Sequence, residues 1–201
     1  MKTSSLSAFV ALTSLLPVGA AASTWNIDSA HASAQFSVRH MMVTNVRGEL
    51  TNVTGTLELD DKNITKSTIQ IEIDAATIDT RNEKRDGHLK SPEFLDVAKF
   101  PKITFKSTKI RKAGKGKLKV TGNLTIRGVT KSVILDVEGP TAEVKAPWGA
   151  VVRGLHATTT IKRKEFGLTW NKALEAGGIL VGEEVKITLD IELVKQDGKK
   201  T

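Results

Sequence analysis

The sequence predicts an all-β domain of about eight strands, arranged as a sandwich or an up-and-down barrel with a short helical insertion. Three observations predict it. Aliphatic residues recur at every second position along much of the chain, turn signals rich in glycine separate those runs, and one polar segment, Thr80 to Lys99, breaks the pattern.

The N-terminus decides where the domain begins. Lys2 is the only charged residue before Asp28, and an apolar run from Leu6 to Val18 follows it. Ala20, Ala21 and Ala22 then supply the small residues of a cleavage site before Ser23. The run is shorter than the roughly 20 residues a bilayer span needs. Pro17 and Gly19 argue against a buried helix. Residues 1–22 are therefore expected to be a signal peptide, and residues 23–201 one exported domain.

Ala34–His40 opens the alternation, with Phe36 and Val38 on one face. Ile69–Ile73, Ile103–Phe105, and Leu118–Val120 continuing to Leu124–Ile126 repeat it. Val133–Val137 and Leu155–Ile161 follow. Val185 to Leu193 is the clearest case, because every second residue there is aliphatic and every other one polar. A strand with one buried and one wet face reads this way. It predicts Leu189 and Ile191 facing inward and Thr188 and Asp190 facing water. Gly48, Gly55, Gly122 and Gly154 interrupt runs otherwise suited to strands, as bulges or sharp bends do. Turn signals lie at Asp60–Asn63, Ala113–Gly116, Arg127-Gly128, Gly139-Pro140, Ala146-Pro147 and Ala176–Gly178.

Within the polar segment, Arg81–Lys90 is almost wholly hydrophilic and reads as a helical turn. Ser91-Pro92-Glu93 then has the form of a helix start, with a capping serine, proline at the first position and an acid in the first turn. Phe94, Leu95 and Val97 give that second helix an apolar face. An insertion of this kind commonly covers a barrel opening.

The composition excludes several chemistries. No cysteine is present, so thiol catalysis, thiolate metal sites and disulfides are ruled out. The net charge of +8 falls to +7 when Lys2 is removed. Lysines interleave with acids along the strands, which suits a solvated surface better than a nucleic-acid face, and attraction to anionic membrane surfaces stays open. The sequons at Asn52, Asn63 and Asn123 are read as coincidences of strand-rich sequence.

The histidines, His31, His40, His88 and His156, form no metal-binding spacing, so no metal or other cofactor is expected. Asp86 and His88 are the residue types of a hydrolase, but no Gly-x-Ser-x-Gly elbow supplies a nucleophile. The Arg81–His88 cluster has two readings of equal weight. It is a solvated helix laced by charge pairs, or a polar rim where Asn82, Arg85, Asp86 or His88 bonds a ligand headgroup. The barrel interior is likewise either an aliphatic tunnel or a filled core.

Several ordered segments carry a resemblance that spans nearly the whole exported chain. They run from Asp28–His31 through His40-Met41-Met42 and Val46-Arg47-Gly48 to Asp79–Leu89. Phe100-Pro101 leading to Thr104-Phe105, Gly122–Thr130 and Arg163–Asn171 complete the series. In these residues the chain resembles the YceI-like family. The resemblance implies a periplasmic or secreted protein with a lipocalin-like antiparallel barrel. It also implies a polyisoprenoid ligand, an isoprenoid quinone or prenyl lipid, in an elongated apolar tunnel. His40 and Arg47, in the matching N-terminal motif, join the candidates for the headgroup. The tunnel lining is assigned to Phe36, Val38, Phe94, Leu95, Phe105, Leu189 and Ile191, with Phe94-Leu95 standing where the family carries a phenylalanine pair.

The leading expectation is a lipid carrier, reservoir or stress-related protein without enzymatic activity, making transient membrane contact; a homodimer is left open. The rival readings are a hydrolase or isomerase using His88 and Asp86 on a prenyl lipid, and an interaction protein whose barrel is full.

Overall fold

In the computed structural model, residues 22–175 and 177–196 are described. The expected signal peptide, apart from Ala22, and Ala176 of the last turn signal lie outside them. The strands are β1 (Ser23–His40), β2 (Thr44–Leu50), β3 (Val53–Leu59) and β4 (Thr68–Asp74), followed by helix α1 (Glu83–Lys90). Then come β5 (Lys102–Gly114), β6 (Lys117–Ile126), β7 (Val129–Glu138), β8 (Val144–Lys145), β9 (Val151–Lys162) and β10 (Val181–Lys195).

Eight of these strands close an antiparallel barrel in the order β10-β1-β3-β4-β5-β6-β7-β9, with β9 pairing back onto β10. Of the sandwich and the up-and-down barrel that the alternation allows, the barrel is the one formed. β2 pairs with the second half of β1, continuing the line that β3 takes beside its first half. β8 is a two-residue strand against β9. Closure leaves few strand edges to protect.

The period-two pattern sets which side chains point inward. In β6, Leu118, Val120, Leu124 and Ile126 are buried while Lys117, Lys119 and Asn123 beside them are exposed. In β10, Leu189, Ile191 and Leu193 are buried and their outward neighbours meet solvent to varying degrees. Arg127-Gly128 forms a two-residue hairpin between the paired Ile126 and Val129. Both residues have positive φ, 50° and 73°, as a type I′ turn requires. Gly48 and Gly55 lie inside strands β2 and β3. Gly48 has no room for a Cβ beside the Phe36 ring, and Gly55 has none beside the backbone of Gln70.

One end of the barrel is closed by Trp25, Leu59 and Leu193, all fully buried. Arg153 and Lys195 lie over the Trp25 ring at 5.1 and 5.5 Å, within cation–π range. The opposite end carries the insertion, and here the sequence reading needs correction. The helix is Glu83–Lys90, capped by the Asn82 side chain, and Ser91 ends it instead of starting a second one. Ser91 precedes proline and is extended, with φ −70° and ψ 168°, because a following proline disfavours helical backbone. Ser91–Phe100 winds as turns, which still bury Phe94 and Leu95. Arg127 pins these turns down by donating to the carbonyls of Pro92 and Gly167, each at 2.6 Å.

Candidate functional site

Beneath α1 the barrel encloses a cavity of about 180 Å³. A smaller space of about 40 Å³ continues it toward the Trp25 end, and a vestibule of about 440 Å³ opens outward beside the helix. The two inner spaces share Ile71, Leu135 and Leu189 as walls. The larger one shares Phe36, Val38, Leu89, Phe94 and Val181 with the vestibule. The three therefore follow one another as a path along the barrel, with the shared side chains standing between them. The inner walls present only apolar surface. An apolar cavity of roughly 150 Å³ is already large enough to stay dry and take up a small hydrocarbon.

All seven residues assigned to the tunnel lie along this path. Phe36, Val38, Phe94, Leu95, Phe105 and Leu189 line the larger inner cavity, and Ile191 lines its extension. Among the headgroup candidates, His40, Arg85 and His88 line the vestibule. Asn82, Asp86 and Arg47 line neither space. The Asn82 carbonyl oxygen accepts from the Arg85 backbone N–H at 3.0 Å and is occupied as a helix cap. The Asp86 carboxylate accepts from the Thr80 backbone N–H at 2.9 Å and from its hydroxyl at 2.5 Å. Arg47 is exposed and alternates on β2 with Val46, whose side chain reaches the vestibule.

Thr80, almost fully buried, organises the helix start. Besides binding Asp86, it accepts from Arg85 Nε at 2.7 Å through its hydroxyl and from Nη2 at 2.8 Å through its carbonyl. Asp86 and His88, two apart on a helix, face different directions. His88 instead bonds Glu93 at 2.6 Å. Among the described residues no ion pair forms within α1; the charge pairs of the solvated-helix reading are not formed there.

Sequence reasoning missed several residues of the mouth. Trp170, from the loop before β10, packs against His88 and Phe94 with ring centroids 4.7 and 5.3 Å away. Arg39 and Lys84 line the vestibule and Leu89 lines both spaces. Arg163 lines the inner cavity and is only 2% exposed. Its guanidinium donates to four backbone carbonyls: Gly182 at 2.8 Å, Leu168 at 2.5 Å, Trp170 at 2.8 Å and Val181 at 3.2 Å. Burial lowers its pKa below the usual arginine value, yet arginine keeps its proton under any physiological condition. Arg163 and Trp170 both stand in the Arg163–Asn171 segment that carries the family resemblance, a signal to which sequence alone attaches no geometry.

On the outer wall, Asp28, His31 and Glu192 bring one ligand atom each within 4.8 Å of one another. Such a set could hold a metal ion. In the structure His31 Nδ1 and Asp28 bond at 2.8 Å.

Comparison with known proteins places these features in context. The YceI-like domain matches residues 25–193. A UPF0312 protein of Vibrio parahaemolyticus is 36% identical over 170 residues, covering 84% of this chain and 89% of that protein. The crystal structure of the Campylobacter jejuni YceI protein matches with a TM-score of 0.66 and 26% identity, over 79% of this chain and 90% of that one. A polyisoprenoid binding domain from Saccharophagus degradans, implicated in plant cell wall breakdown, matches with a TM-score of 0.61. It covers 87% of this chain and 99% of its own at 12% identity, so the likeness there is one of fold.

Proposed function

The chain belongs to the YceI-like domain family, and on that premise we propose that it is an exported carrier or reservoir for a long-chain polyisoprenoid. An isoprenoid quinone or a prenyl lipid in the periplasm is the ligand this reading favours. The observation that carries it is the succession of apolar inner spaces that runs from the vestibule toward the Trp25 end. An interaction protein with a filled barrel would have no use for that space.

The driving force is burial of the tail. Each methylene taken out of water contributes about 0.8 kcal/mol, so a chain of several prenyl units gains affinity with no polar contact. Walls that turn no polar atom toward the cavity suit such a tail because they ask it for no hydrogen bonds. The mouth then holds the headgroup with Arg85, His40 and His88, leaving the tail to the barrel.

The rival reading, a hydrolase or isomerase, needs His88 and Asp86 to act together on the lipid. Asp86 is engaged with Thr80 and His88 with Glu93, which supports binding over turnover. Loading from a membrane is supported by Met41, Met42 and Val43, which form an exposed apolar tip between β1 and β2 beside the vestibule residues Arg39 and His40.

The test is mass spectrometry of the organic extract from protein purified from its own host. A prenyl-chain lipid in near-stoichiometric amount is expected. Protein that returns no lipid, or only bulk phospholipid, would remove the proposal.

A further inference from the structure

We infer that the Asp28–His31 bulge and Glu192 together form a binding site on the outer barrel wall for a divalent transition-metal ion of the zinc class. The site is independent of the lipid path and of the carrier reading.

The backbone shows how the donors are brought together. Strand β1 pairs with β10 on both sides of the bulge, Ile27 against Leu193 and Ala32 against Ile191, so the four residues Asp28–His31 stand opposite the single Glu192. An ordinary bulge sets two residues against one. The larger excursion interrupts the longest strand of the barrel, and it brings Asp28 and His31 to Glu192. The two Asp28 oxygens have separate tasks. Oδ1 accepts from the Ala30 N–H at 3.0 Å and fixes the excursion, while Oδ2 meets His31 Nδ1 at 2.8 Å.

The donor set suits the ion. Zinc takes imidazole nitrogen and carboxylate oxygen at about 2.0–2.2 Å, so two ligands on one tetrahedral ion stand about 3.4 Å apart. The three donors lie within 4.8 Å of one another, with Asp28 and His31 at 2.8 Å, a spread that small side-chain rotations close. Two carboxylates and a neutral imidazole carry two negative charges, which balance a divalent ion. The imidazole favours zinc and its transition-metal neighbours over calcium and magnesium, which take oxygen ligands. Elsewhere on the wall acids stand against lysines: Glu72 against Lys102, Glu138 against Lys117 and Asp136 against Lys119. Glu192 has no lysine or arginine partner among the described residues.

His156 and Asp190 mark the difference between a pair and a site. They face each other across β9 and β10 and bond at 2.7 Å, but no third donor joins them. Among the described residues, Asp28, His31 and Glu192 are the only three donors that converge so closely. Three protein ligands leave a fourth position for water or an incoming group, and the groove of about 310 Å³ that His31 and Glu192 line gives access to it. Histidine spacing gives no sign of such a set, because Glu192 comes from the far end of the chain.

The experiment strips the tag-free exported protein with chelator and titrates it with zinc chloride by calorimetry, while NMR follows the histidine ring signals. One zinc per chain is expected, moving the His31 signals and leaving those of His156. Removing a ligand, in His31→Ala or Glu192→Gln, should weaken binding by about tenfold or more, since even the outer-shell partners of a metal are worth about 10–100-fold. Asp28→Asn should do the same, but it also disturbs the excursion that Oδ1 fixes. Glu192→Gln, on the facing strand, is therefore the decisive variant, with circular dichroism checking its fold. Glu184→Gln, which removes an exposed acid of the same strand, should leave binding unchanged. A protein that takes up no zinc would overturn the inference. Uptake that Glu192→Gln leaves unchanged, or that moves His156 as much as His31, would overturn it too, because the ion would then sit on any exposed histidine.

Discussion

His88 of α1 meets Trp170 edge to face, with ring centroids 4.7 Å apart and planes at 88°. Phe94 closes the group, 5.0 Å from His88 and 5.3 Å from Trp170. Three rings thus clasp the helix, the turns that follow it and the loop before β10 into one cover beside the vestibule. The helix alone has no buried residue. The cover is held by contacts between its parts, and those contacts border the path a ligand would take.

Removing the Trp170 ring should therefore loosen the cover. Two aromatic pairs are lost in Trp170→Ala, each worth about 0.5–1.5 kcal/mol beyond area burial. Bound prenyl lipid should leave the variant severalfold faster, measured by stopped-flow transfer to vesicles. An unchanged release rate would mean that Arg127, through the Pro92 and Gly167 carbonyls, holds the cover by itself.

Leu189 stands where the two inner cavities meet, and it is 7% exposed. Leu189→Glu would place a carboxylate among apolar walls, at a cost of several kcal/mol if unpaired. Urea denaturation should show that loss, or lipid binding should vanish in whatever protein remains folded. Thr188→Glu, pointing outward between its β1 and β9 neighbours Gln35 and Thr158, should change both properties little. Similar effects from the two substitutions would contradict the observed register of β10.

Much of the barrel was legible because the alternation reports burial directly, as Val185 to Leu193 does. Hairpin turns were legible where they demand glycine, as at Arg127-Gly128. Signals that depend on distant partners were not. Ser91-Pro92-Glu93 has every local mark of a helix start, and yet Asn82 caps the helix that forms and Ser91 ends it. Arg163 reads as one more surface cation in a basic chain. Only closure of the barrel brings it beneath the carbonyls of residues 168–182 and onto the cavity wall. Asn82 and Asp86 drew attention for their polarity, which the fold spends locally on the helix start.

Export is a separate prediction, from the N-terminal sequence. The secreted or periplasmic protein should begin at Ser23, as read by N-terminal sequencing. A cytoplasmic product that keeps Met1 would contradict it.

Gly122 offers a test of how tightly the wall is packed. A Cβ there would lie 2.3 Å from Phe105 Cζ and 2.6 Å from the Lys106 carbonyl. Gly122→Ala should then destabilise the protein by about 1–3 kcal/mol, the usual cost of overpacking, and displace the Phe105 ring into the cavity it lines. Urea denaturation and prenyl-lipid titration together check it. Full stability with weaker binding would show that the ring moves freely, and loss of neither would contradict the close contact.

The outer wall gives a prediction with a definite sign. The hydrogen bond that His31 donates to the Asp28 carboxylate raises the His31 pKa above the usual histidine value, with charge attraction to Asp28 and then Glu192 adding to it. The same bond, with that from the Ala30 N–H, lowers Asp28. A raised histidine stabilises the fold fully below its unfolded pKa and loses that contribution as pH rises through the folded one. A lowered carboxylate does the reverse, losing its contribution as pH falls through its folded pKa. The pair is therefore strongest between the two, with Asp28 ionised and His31 protonated. Both groups lie open to solvent, so the stability at stake is small, and the titration itself is the better observable. By NMR, His31 should titrate above the ordinary histidine range in the native protein and return toward it in Asp28→Asn. Glu192→Gln should move it in the same direction by less. A His31 that titrates identically in all three proteins would mean that the Asp28 contact does not persist in solution.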